Sequence, residues 1–143
     1  MKLVCKALCV ALVALPLAAV AEDKGCDSVN WGQEVLSKFP NAQKACQGVT
    51  MKNGEAYAKY TAKVVANDKK SVTVHLMDKE DKAISEIKFV PNPNQKITIE
   101  GKGTNYMDLK KGQVLSLYIA HNRWGLYSDP DSTPMTIESR KDL

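Results

Sequence analysis

The sequence predicts a mainly β protein: a small antiparallel sheet of five to six strands curled into a barrel, behind an N-terminal helical cap tied by a disulfide. Three observations predict it. Apolar and polar residues alternate with period two in several short runs between residues 55 and 127; the connections between the runs are mostly of hairpin length; and two cysteines flank a helical stretch upstream.

The chain opens with Lys2 and Lys6, an uncharged apolar run over residues 7–15, then Pro16 and the small residues Ala19, Val20 and Ala21. That is the layout of a cleavable secretory signal, with the cut expected after Ala21. The apolar stretch of roughly 15 residues is short of the ~20 that a membrane-spanning helix needs, so stable membrane insertion is not expected. Removing residues 1–21 leaves about 122 residues, one domain's worth. Loss of Lys2 and Lys6 lowers the formal charge of +4 to about +2, and no basic block points to nucleic acid. Cys5 and Cys9 leave with the signal, so Cys26 and Cys46 remain as a pair expected to bond in an oxidising compartment. A closed loop of roughly 20 residues is worth about 3 kcal/mol in the chain-entropy estimate.

Residues 22–54 form the expected helical cap. Asp27 or Ser28 can start a helix whose apolar positions Trp31, Val35, Leu36 and Phe39 recur at three-to-four spacing, and Pro40 and Asn41 end it. A second short helical piece over residues 42–46 returns Cys46 to Cys26. Residues 55–127 form the expected barrel. Ala58, Tyr60, Ala62, Val64 and Ala66 share one face of a first strand, with Lys59, Thr61 and Lys63 opposite. Residues 67–70 turn the chain into a second strand, where Val72, Val74 and Leu76 alternate with Thr73, His75 and Met77. The third strand, over residues 83–90, changes apolar phase between Ile84 and Ile87, which predicts a bulge. The fourth buries Ile97 and Ile99, residues 105–112 make a helical turn, and the fifth buries Leu115, Leu117 and Ile119. A last short strand spans residues 123–127. The tail, residues 128–143, contains Pro130 and Pro134 and is expected to be loosely held. Barrel closure follows as the way to leave no exposed sheet edge.

Residues 62–74, followed downstream by Asn105, Tyr106, Leu109, Gly112 and Gln113 at fixed spacing, resemble the small OB-like barrels of bacterial periplasmic proteins. The resemblance implies an OB-like barrel. It also carries a distant similarity to periplasmic copper carriers, which bind Cu(I) through His and Met. His75 and Met77, two apart on a strand and so on one face, are the residues it would assign to copper, and an imidazole with a thioether suits a soft ion.

Catalytic chemistry has no visible carrier. His75 and His121 are the only histidines and have no metal-ligand spacing, Asp129 and Asp131 flank Pro130 in a turn, and Gly101 and Gly103 lack the following helix start of a phosphate loop. The chain is therefore expected not to be an enzyme, and to use no cofactor unless copper. Arg123, Trp124 and Tyr127 lie within five residues, and those residue types dominate binding hot spots. The expectation is a non-catalytic, monomeric binding domain in the periplasm of a Gram-negative bacterium, or secreted, whose partner is an envelope protein or cell-wall component. A soft-metal carrier and an inhibitor of a secreted hydrolase are the alternatives.

Overall fold

The structure, a computed structural model, describes residues 25–143, so the expected signal segment lies outside the described residues. A 3-10 turn, Cys26–Ser28, leads into α1 (Gln33–Lys38) and α2 (Ala42–Ala45). Helix α1 starts later than the sequence suggests. Its N-cap is Gly32 with no side-chain cap, because Ser28 Oγ instead bonds Gly25 O within the preceding turn. The helix buries Val35, and Phe39 is buried just beyond its end, as the spacing predicts. Cys26 and Cys46 form the expected disulfide.

Among the described residues eight strands follow: β1 (Gly48–Lys52), β2 (Glu55–Asn67), β3 (Val72–Met77), β4 (Ala83–Val90), β5 (Lys96–Ile99), β6 (Lys102–Asn105), β7 (Val114–Ala120) and β8 (Thr136–Asp142). They are antiparallel throughout. β5 and β6 make a separate hairpin, and the other six form one sheet in the order β1-β2-β3-β4-β8, with β7 on the opposite edge of β2. The long β2 organises the sheet: its first half pairs with β1, its second with β3, and residues 57–63 pair with β7. Its even-numbered residues Ala58, Tyr60, Ala62 and Val64 are fully buried, against Phe39, Phe89, Leu76, Ile87 and Leu117. The Tyr60 hydroxyl donates to Ala42 O at 2.7 Å, which fastens α2 to the sheet and satisfies a buried polar group.

Four expectations need correction. The sheet is not closed into a barrel: beyond β7 only isolated bridges, Tyr118 with Tyr127 and Leu126 with Met135, reach toward β8. Residues 123–127 thus supply bridges, not a strand. The stretch 128–143 is not a loose tail, because β8 pairs with β4 from Ser85 to Val90. The cap region also contains β1, which turns back into β2 through Asn53 and Gly54 at φ 52° and 81°. Two successive positive φ angles define the tight hairpin turn that matches strand twist. The bulge near Ile84 is present: Leu76 faces Ser85 while Met77 faces Ala83, so Ile84 is the extra residue.

Candidate functional site

At one end of the sheet lies the β1–β2 hairpin. Val49, Met51 and Ala56 lie on its inner face, since Val49 pairs with the core residue Ala58 and Met51 pairs with Ala56. Opposite them runs the segment 28–30, and His121 follows the end of β7. Together these enclose a cleft of about 270 Å³ lined by Ser28, Val29, Asn30, Val49, Met51, Gly54, Ala56 and His121. Met51 is 52% exposed, a large apolar side chain left at the rim.

The wall formed by residues 28–30 is fixed at both ends. Cys26 holds it through the disulfide to Cys46, two residues before β1. On the other side Gly32 N donates to His121 O at 2.7 Å, and His121 Nδ1 donates to Asn30 O at 3.0 Å. A Cβ on Gly32 would lie 3.1 Å from Asn122 Cα and 3.2 Å from His121 O, so the close approach of these backbones favours glycine there.

On the outer face of the same end, Arg123 is clasped. Its Nη1 lies 2.6 Å from Glu55 Oε2 and its Nη2 donates to the Tyr57 hydroxyl at 3.0 Å. Tyr57 and Tyr127 meet edge to face at 5.5 Å beneath it, and both are 6% exposed. The Arg123 and Asn122 side chains that bond Glu55 hold its carboxyl below the usual carboxylate range. Trp124 turns the other way: its ring lies 6.3 Å from Phe39, and its backbone N–H donates to Glu34 Oε2. The structure therefore splits the sequence-predicted trio. Arg123 and Tyr127 share one cluster, and Trp124 packs against the helical cap.

His75 and Met77 share the outer face of β3, away from this end. His75 Nε2 lies 3.0 Å from Glu86 Oε1, and Lys141 Nζ lies 3.5 Å from Glu86 Oε2. Among the described residues no group of three or more His, Cys, Asp or Glu side chains is placed to hold a metal ion. Two further clefts, of about 190 and 250 Å³, border the β5–β6 region. Their amide groups already serve the fold: Gln95 bonds Ser128 Oγ, Asn92 bonds Pro134 O and Asn105 accepts from Met107 N.

Sequence reasoning missed Val29, Val49, Met51, Ala56 and Glu55 as site residues. The available signal was the period-two pattern of Val49 and Met51 running into the Asn53-Gly54 turn, which marks a hairpin upstream of the first strand recognised. The chain matches no protein-family model, no curated protein and no solved structure.

Proposed function

We propose that this chain is a non-catalytic binding domain that works outside the cytoplasm, periplasmic or secreted, and that engages an envelope protein at the end of the sheet formed by the β1–β2 hairpin. The cleft at that end is the observation that carries the reading. Its volume of about 270 Å³ falls just below the ~300–1,000 Å³ of sites that enclose small organic ligands. It fits one projecting side chain of a partner, the usual form of a protein–protein hot spot. Its mostly apolar lining, with Met51 exposed at the rim, and the wall held by the disulfide and the Gly32–His121 contact suit such a contact, because little backbone freedom is lost on binding. The Cys26–Cys46 disulfide is in keeping with an oxidising compartment.

Affinity capture from a periplasmic extract tests the reading with three baits. The wild-type protein is expected to retain a discrete partner that Met51→Glu loses and Lys110→Gln, on a distant turn, keeps. Equal recovery by all three baits would refute it.

A further inference from the structure

The β1–β2 turn fixes which backbone groups of β1 face outward. In a two-residue hairpin the closing pair, Lys52 and Glu55, exchanges both hydrogen bonds, and hydrogen-bonded pairs then alternate along the ladder. Thr50 with Tyr57 and Gly48 with Lys59 are therefore bonded, and Gln47 N also donates to Lys59 O. Val49 and Met51 turn their N–H and C=O groups away from β2. Among the described residues β1 pairs with no second strand, and no backbone hydrogen bond reaches these groups. The same two residues line the cleft with their side chains.

We propose that β1 is a docking edge for an extended segment of the partner, which adds as a further antiparallel strand and drops an aliphatic side chain into the cleft. Residues directly opposite Val49 and Met51 on an added strand carry their side chains on the same face as those two, which is the face of the cleft. Backbone bonds supply affinity and the cleft supplies selectivity, the usual division in strand addition. The segment is neutral and apolar where it crosses the edge, since Gly48, Val49, Thr50 and Met51 carry no charge and Lys52 already pairs with Asp131 at 2.6 Å. A second copy of this chain is the poorer occupant. Five residues of strand, about 17 Å long, are too short an edge to supply on their own the ~800 Å² per partner that a stable dimer buries. The proposal rests on the hairpin end being the binding site, and adds the form of the partner.

The test is selection of random linear peptides displayed on phage against the intact disulfide-bonded protein, followed by titration of the enriched peptides against two variants. Val49→Pro removes one outward N–H while leaving every bond to β2, a place where an edge strand tolerates proline. Ala56→Trp fills the cleft and leaves the edge free. Strand addition predicts enriched peptides that alternate apolar and polar residues, and a loss of at least about tenfold in affinity on either substitution. It also predicts that the Val49 and Met51 amides of the wild-type protein become protected from hydrogen exchange by about tenfold or more when peptide binds, a readout that needs no variant. Loss on Ala56→Trp alone, with those amides unprotected, overturns strand addition and leaves the cleft as the site. Loss on neither, failure to enrich any peptide, or a dimer at micromolar concentration that blocks the edge overturns the proposal.

Discussion

Strand β8, at one end of the main sheet, has Glu138, Arg140, Lys141 and Asp142 among its seven residues, and its pairing with β4 is broken by a bulge at Glu138. Strand β1, which lies beside β3 along one edge of β2 and leaves its own outer edge open among the described residues, has no charge before Lys52 and pairs with β2 through its whole length. Charges and bulges are how proteins keep an exposed strand from pairing with other chains. Protection is thus built into one edge and left out of the other, and the unprotected edge is the one bordered by an apolar cleft and a rigid wall. The two edges are also held by different means. β8 is anchored by Arg140, which donates to Lys38 O at 2.6 Å and to Ser85 Oγ, pairs with Asp142, and lies over the Phe39 ring. The region of β1 is anchored by a covalent bond, Cys26 to Cys46, and by the Tyr60 hydroxyl on α2.

Removing each anchor sharpens the contrast. Cys26→Ser with Cys46→Ser is expected to cost about 3 kcal/mol in a denaturant titration. Hydrogen exchange should rise at residues 28–30 and in β1 while the β4–β8 pairing stays protected. Arg140→Ala is expected to cost about 2 kcal/mol, because Lys38 O, the buried Ser85 hydroxyl and an aromatic face lose a charged donor, and here the exchange should rise in β8 and spare β1. Tyr60→Phe leaves Ala42 O without its partner and should cost about 1 kcal/mol with no change in peptide binding. Equal loosening of both edges in any of these variants would mean that they are not independently held.

Acid provides the smallest expected effect and acts on the protected side. The hydrogen bond from His75, with Lys141 beside it, holds the Glu86 carboxyl below its ordinary value of 4.5. A carboxyl with a lower pKa folded than unfolded stabilises the protein above the unfolded value, and the contribution disappears as the pH falls through the folded one. Stability of the wild-type protein should therefore decline below about pH 4.5, and Glu86→Gln should decline less steeply over the same range. Identical acid profiles would show that the row joining β3, β4 and β8 contributes nothing to the pH dependence.

Much of the fold is written in local pattern. The alternation in residues 58–66 and 72–77, the phase change at Ile84 and the pairing of Cys26 with Cys46 were all readable, because each depends on residues close in sequence or on a count of two. β8 was not, since Ile137 is its only apolar residue and its position depends on the edge that β4 offers. β1 was readable only in outline, since the alternation of Val49 and Met51 into the Asn53-Gly54 turn marks a hairpin, but two apolar positions in five residues are a short signal beside the long run of β2. The barrel was expected as the remedy for open edges, and the charges of β8 provide another remedy. The candidate site was the least readable part, because its walls come from residues 28–30, 49–56 and 121, which only the β1–β2 hairpin and the Gly32–His121 backbone contact bring together.

The most direct test places a photo-reactive side chain at Met51 in one protein and at Glu138 in another, each produced in the bacterial envelope and irradiated there. The contrast between the edges predicts a discrete adduct with one envelope protein from position 51, abolished by Ala56→Trp, and none from position 138. An adduct from position 138 alone, or none from position 51, would contradict it.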